Sequence, residues 1–171
     1  MRFFLPCFFS LLLWVLQTSP AFAETEVLFS SDQSIQGTLL NEMESAYSTI
    51  DLAIREITSK PLAQALLKAK ERGIKIRIIT DSKQAKRRSS KITYLIQEGI
   101  PVKILRGKDH GVMNYRFAIF DGKKVMTGSF DWSETSERRN YENLLILWES
   151  DTVISYQKEF ERLWREKRII H

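Results

Sequence analysis

Apolar positions along this chain change their period repeatedly, and each change marks a new element. Residues 27–30 form a short apolar-rich run that reads as a strand. Across residues 34–46, Ile35, Leu39, Leu40 and Met43 recur at helical spacing, one apolar stripe on a polar segment. Residues 50–54, IDLAI, read as a second strand, rich in branched side chains. Ser59 is placed to cap a helix carrying Leu62, Leu66, Leu67 and Ala69, and Gly73 to end it. KIRIIT, at residues 75–80, alternates apolar and polar positions and predicts a third strand. A basic helical segment through Tyr94, Leu95 and Ile96 follows and closes at Gly99.

Residues 102–105, 116–120, 124–127 and 143–147 supply further strands. From Asp151 onward, Val153, Tyr156, Phe160, Leu163 and Trp164 return at steps of three and four and predict a final helix. Strand and helix alternate through the first two thirds, which predicts an α/β fold with a sheet covered by helices. The tighter succession of strands in the last third makes that sheet mixed. No linker, repeat or low-complexity stretch divides residues 24–171, which are read as one domain.

The N-terminus has a different character. Arg2, the apolar run at residues 3–15 and Ala21-Phe22-Ala23 before Glu24 form the pattern of a cleavable secretory signal over residues 1–23. The run is too short for a comfortable membrane span, and Cys7 lies in its middle, away from a lipoprotein cleavage position. The expected location is secreted or periplasmic. Cleavage leaves 148 residues, enough for a domain with a real core. It also removes the single cysteine, so disulfides, thiol nucleophiles and Cys-based metal sites are excluded from the mature part. His110 and His171 are the two imidazoles, too few to suggest zinc, and no metal or cofactor is expected.

Without Arg2, 25 of the 26 basic residues remain against 21 acidic ones, a surplus too small to argue for nucleic acid. The distribution says more. Lys83, Lys86, Arg87 and Arg88 lie together, as do Arg138 and Arg139. Such clusters are either solvated faces or phosphate contacts.

The chemistry-bearing stretch is residues 111–149, GVMNYRFAIFDGKKVMTGSFDWSETSERRNYENLLILWE. Arg116 is followed after four residues by Asp121 and, after six more, by Gly128-Ser129; Asn140, Glu142, Asn143, Leu144 and Leu145 come next. This spacing resembles the signature of the phospholipase D superfamily, in particular its small secreted single-motif nuclease-like members. That signature is His-x-Lys, four residues, Asp, six residues and Gly-Ser-x-Asn, with an Asn-x-Glu-Asn-Leu strand after it. The order of IDLAI, PLAQALLKAKERG and KIRIITD also matches, so the resemblance spans roughly the whole chain after residue 23. It implies a phospholipase D-like α/β fold, a mixed sheet with helices on both faces.

The resemblance also implies a mechanism. The His attacks phosphorus, and a second His from another copy of the motif protonates the leaving group and then activates water, without metal. Single-motif members obtain the second copy by pairing as a homodimer. Lys and Asn hold the non-bridging oxygens, and the Glu of the later strand orients the His ring. The motif positions here are Asn114, Arg116, Asp121 and Glu142 for catalysis, with Ser129, Asp131 and His110 beside the substrate.

Three of these positions depart from the pattern: Asn114 stands for His, Arg116 for Lys and Asp131 for Asn. A carboxamide is not nucleophilic, does not titrate near neutrality and relays no proton, although it can donate to a phosphate oxygen. Guanidinium keeps the charge and suits bidentate phosphate contact. A carboxylate at 131 repels phosphate and is placed to pair with Arg116 instead. Asp121-Gly122 reads equally as a hairpin turn, and Glu142 as a relic or an ion-pair partner of Arg116. Phe117, Phe120 and Trp132 are expected in the core. His110, about 13 Å upstream in an extended chain, reads as a loop residue, with rescue of the nucleophile as the alternative.

Three functional readings stand at this level. The first is a phosphodiesterase scaffold, nuclease-like or phospholipase D-like, that binds nucleic acid or a phospholipid head group and has lost or reduced hydrolysis. The second is an active metal-independent endonuclease or phospholipase D, completed by His110 or a His-bearing partner. The third is a non-catalytic interaction protein of the envelope.

Overall fold

A computed structural model describes residues 25–107, 109 and 111–167; the expected leader, His110 and His171 lie outside them. The alternation along β2 (Thr49–Ile54) organises the whole core. Ile50, Leu52 and Ile54 point to one side of the sheet, into a cluster with Ile35, Leu39, Met43, Leu62, Leu66 and Leu95. Ala53 joins the other side, with Ile79, Phe117, Ile119, Val153, Phe160 and Leu163. The first cluster is covered by α1 (Ile35–Ser45), α2 (Lys60–Glu71) and α4 (Ile92–Gln97), and the second by α6 (Ser150–Arg165). Helices therefore cover both faces, as expected.

The remaining elements are β1 (Thr25–Phe29), β3 (Lys75–Asp81), α3 (Ser82–Ala85), β4 (Val102–Leu105), β5 (Arg116–Phe120), β6 (Lys124–Gly128), α5 (Glu134–Arg139) and β7 (Asn143–Leu147). The seven strands lie in the order β1-β7-β6-β5-β2-β3-β4. β2, β3 and β4 run parallel, joined by helical crossovers. β2 meets β5 antiparallel, and antiparallel pairing continues through β6 and β7 to β1. The expected mixed sheet is thus a parallel half and an antiparallel half sharing β2. No described helix is long and apolar enough to cross a membrane.

Ser59 caps where the sequence places it, and Ser34 does the same for the helix before it. Ser34 Oγ accepts from Gly37 N and Ser59 Oγ from Leu62 N, each satisfying one orphan donor of a helix start. Two segments differ from expectation. The basic stretch after β3 is two helices, because Asp81 Oδ1 caps the first turn through Lys83 N and Gln84 N and a turn then restarts the chain. The six-residue α5, ETSERR, has no apolar stripe; Ser133 Oγ starts it by accepting from Ser136 N.

A polar anchor sits under α6. Arg77 donates from Nε and Nη2 to Asp51 Oδ1 and Oδ2 at 2.8 and 2.7 Å, and from Nη2 to Glu161 Oε1 at 2.6 Å. Gln157 Nε2 donates to Asp51 at 2.9 Å. The hydrogen bond with Asp51, ahead of the one with Glu161, holds the Arg77 pKa above its usual value. Glu161 is held below the usual carboxylate range, chiefly by Arg77. The buried Asp51 carboxylate is therefore fully engaged rather than stranded.

Asp121 and Gly122, with φ of 55° and 63°, open the three-residue connection between Phe120 of β5 and Lys124 of β6, left-handed conformations that Asp and Gly accept in turns. The Asp121 carboxylate accepts from Ser48 N at 2.8 Å, Thr49 N at 3.0 Å and Tyr47 N at 3.3 Å. It thereby ties the hairpin to the start of β2. This is the opposite end of β5 from Arg116, about 17 Å away along an extended strand. Loss of these bonds in Asp121→Ala, with alanine less tolerant of positive φ, should destabilise by about 2 kcal/mol. Denaturant unfolding should then show a lower midpoint at an unchanged slope; an unchanged midpoint would mean that the carboxylate does not hold the turn.

Candidate active site

Four strand ends meet at one end of the sheet, and the motif residues converge there. Ile54 at the end of β2 pairs with Arg116 at the start of β5. Gly128 at the end of β6 pairs with Leu144 near the start of β7. The parallel strands β2 and β3 present their carboxyl ends at this edge, the position where α/β sheets bind ligands. Gly128 is required by packing: a Cβ there would lie 2.2 Å from Asn143 O. Only glycine lets β6 approach β7 closely enough for Ser129 N to donate to Asn143 O at 3.1 Å.

Asp131 is the centre of the site. It is 5 % exposed and receives two guanidinium groups. Arg116 donates in bidentate fashion, Nε to Oδ1 at 2.9 Å and Nη2 to Oδ2 at 3.1 Å. Arg55, just beyond β2, donates from Nε to Oδ2 at 3.1 Å, and its Nη2 reaches the same oxygen. Arg55 Nη2 also pairs with Glu56 at 3.0 Å, and Glu56 with Arg87 at 3.6 Å. The hydrogen bond with Asp131 holds the Arg55 pKa up, against the opposing effect of burial; the charges of Asp131, Glu56 and Asp81 add to it. The pairing of Arg116 with Asp131 is the one the sequence suggests. Arg55 as a second partner is not legible there, because the β2–β5 pairing that brings it in is a property of strand order.

A second group lies one strand further along. Ser129 Oγ donates to Glu142 Oε2 and accepts from Asn143 N at 3.0 Å. Asn140 Nδ2 donates to Glu142 Oε1 at 2.9 Å. Ser30 Oγ accepts from Glu142 N at 2.9 Å, which joins the end of β1 to the site. The alternative of Glu142 as ion-pair partner of Arg116 is corrected by these contacts: its carboxylate goes to Ser129 and Asn140, because Asp131 already holds the guanidinium. Phe117, Phe120 and Trp132 are buried, as expected for core residues.

Asn114 is exposed, and its backbone oxygen accepts from Arg116 Nη1 at 3.4 Å. It lines a cavity of about 470 Å³ together with Leu105, Val112, Met113 and Tyr115. Met113, its neighbour, is fixed by a bond from its N to Asp81 Oδ2 at 3.1 Å. The structure thus gathers Asn114, Arg116, Ser129, Asp131 and Glu142 at one edge and leaves Asp121 at the other. His110 lies outside the described residues. Chemically, the edge offers a buried carboxylate between two guanidiniums, a hydroxyl beside a carboxylate, and one exposed carboxamide. None of these side chains is an imidazole.

A family model described as the PLD-like domain of cardiolipin synthase matches residues 39–164. The mitochondrial cardiolipin hydrolases of Xenopus laevis and Chlamydomonas reinhardtii are similar, with 37 % identity over 128 residues and 33 % over 125. Those alignments cover 75 % and 73 % of this chain but 60 % and 55 % of the relatives, so the chain spans little more than half their length. Among solved structures, Nuc from Salmonella typhimurium superposes with a TM-score of 0.76 at 24 % identity, covering 86 % of this chain and 98 % of its own. NucT from Helicobacter pylori gives 0.71 at 27 %, covering 82 % and 96 %. With the strand order, the motif spacing and a family model that matches most of its length, this chain belongs to the phospholipase D superfamily.

Proposed function

We propose that this domain binds phosphodiesters at the Asn114–Arg116–Asp131 edge and has lost, or strongly reduced, hydrolysis by the route typical of its family. One observation carries the proposal: Asp131 occupies both Arg55 and Arg116 at the place where the family motif implies an amide and a cation for phosphate. A guanidinium pair converging on one anion is the arrangement a phosphate oxygen pair would otherwise receive. The seat is therefore filled from within. Asn114 adds the second defect, since nothing at that position forms a covalent intermediate or moves a proton.

Binding then rests on cations around the seat. Lys83, Lys86, Arg87 and Arg88 are exposed beyond the parallel strands, and Arg138 and Arg139 beside β7. The proposal extends to export through the leader and to pairing with a second copy, as in other single-motif members of the family; sedimentation as a monomer at micromolar concentration would remove the pairing. The cardiolipin hydrolases are named for a lipid, and lipid head group and nucleic acid share the phosphodiester that this edge would read.

The catalytic proposal is tested by hydrolysis of an aryl phosphodiester in EDTA. Wild type should stay near background. Asn114→His/Asp131→Asn should gain measurable activity, because it restores the nucleophile and releases Arg55 and Arg116 for the ligand. Asn114→His alone should give less, since the carboxylate still holds both arginines; residues that share partners are not additive. Robust EDTA-resistant wild-type activity, or a folded but wholly inert double variant, would contradict this reading.

Binding to single-stranded nucleic acid should weaken linearly in log affinity against log salt, with a slope of about −0.7 per phosphate contact. Salt-independent binding measured by fluorescence anisotropy would contradict an electrostatic site.

A further inference from the structure

Beside Glu142 and Asn143 the surface carries a depression whose lining also includes Phe29, Ser30, Ser31 and Tyr141. Two aromatic rings flank it in the open. Tyr141 is 96 % exposed and Phe29 is 52 % exposed, although each sits on a rigid support. Phe29 is the register partner of Asn143 in the β1–β7 ladder. Tyr141 is held between Asn140, whose amide binds Glu142, and Glu142, whose N donates to Ser30 Oγ. An exposed tyrosine on a frame this well bonded contributes nothing to the core. Neither ring belongs to either hydrophobic cluster.

We propose that Phe29 and Tyr141 form a stacking subsite for a nucleobase of a single-stranded nucleic acid, next to the phosphodiester edge. This rests on the phosphodiester reading above and specifies what is attached to the phosphate. Three features favour a base over an acyl chain. Flat aromatic faces give a stacking surface that accepts any base. Ser30, Ser31 and Asn143 line the same depression. Ser30 Oγ donates to Asn140 O and Ser31 Oγ to Asp32 Oδ1, so the lining offers a base their remaining acceptor positions and the Asn143 amide, and is ill suited to a hydrocarbon chain. Exposed Arg138 and Arg139, on α5 immediately before the Asn140-Tyr141 turn, supply charge for the phosphates that flank a stacked base. The Glu142 carboxylate, the anionic group in the lining, is taken up by Ser129 and Asn140 and does not face a ligand unpaired.

The test compares a short oligothymidylate with an abasic oligomer of equal length by fluorescence anisotropy at low salt, on wild type, Tyr141→Ala, Phe29→Ala and Tyr141→Trp. Wild type should bind the oligothymidylate more tightly than the abasic strand. Each alanine variant should weaken the oligothymidylate about tenfold, the order expected for one stacked base. The abasic affinity should not move, and Tyr141→Trp should keep wild-type binding. Both rings are exposed, so the variants should fold, and circular dichroism checks that they do. Equal loss on both strands, or no loss on either, overturns the stacking subsite while leaving phosphodiester binding intact. Failure of wild type to bind either strand overturns the phosphodiester reading and this one with it. Loss of binding to anionic vesicles in Tyr141→Ala, with oligothymidylate binding unchanged, would assign the rings to a lipid surface and overturn the proposal.

Discussion

The site depends on one buried carboxylate. Asp131 has little access to water, and its carboxylate is met there by Arg116 at the start of β5 and Arg55 just beyond β2. That contact joins the end of β2, the start of β5 and the segment after β6 at one edge of the sheet. Removing one partner of a buried pair leaves charge uncompensated and costs about 3–5 kcal/mol in a dry interior. Here the arginine side chains are 26 % and 21 % exposed, so solvent screens part of that loss and the figure is an upper bound. On the function proposed above, the contact that ties this edge together also keeps both guanidiniums from an incoming anion. Stability and ligand access are opposed at a single residue.

This opposition explains why the framework and the reactive positions differ so much in how well they match the family. Gly128 is fixed by the close approach of Asn143, Asp121 by three backbone N–H groups, and Glu142 by Ser129 and Asn140. Each is required by the fold whether or not a reaction takes place. The Asn114 side chain has no comparable structural role, being exposed where it lines a cavity. Position 114 can therefore depart from the pattern without loss of the sheet, whereas Arg116 and Asp131 hold each other at its edge. The retained Asp and Ser testify to architecture, and the altered positions bear on chemistry.

Much of the fold was legible in the chain. Alternation in KIRIIT placed β3, and the spacing of Val153, Phe160 and Leu163 placed the helix that covers the second face. Ser59, Gly73 and the Asp121-Gly122 pair marked a cap and turns because their chemistry is local. What was not legible is non-local. Arg55 follows Ile54 as an ordinary strand-terminating charge, and only the β2–β5 pairing makes it a partner of Asp131. Likewise Phe29 and Tyr141 are far apart in sequence and line one depression because the β1–β7 ladder sets Phe29 opposite Asn143, two residues after Tyr141. The short α5 escaped because six charged and polar residues carry no periodic apolar signal.

The central claim is that Asp131 fills the anion seat formed by Arg55 and Arg116. The most direct measurement is calorimetric titration of a simple dialkyl phosphate into wild type and Asp131→Asn. An Asn side chain keeps the shape and removes the competing charge, so the variant should bind at least tenfold more tightly, the scale of one close charge–charge interaction near a protein surface. Equal affinity of the two proteins for the phosphodiester, with the variant folded, would show that the seat lies elsewhere and would contradict the account.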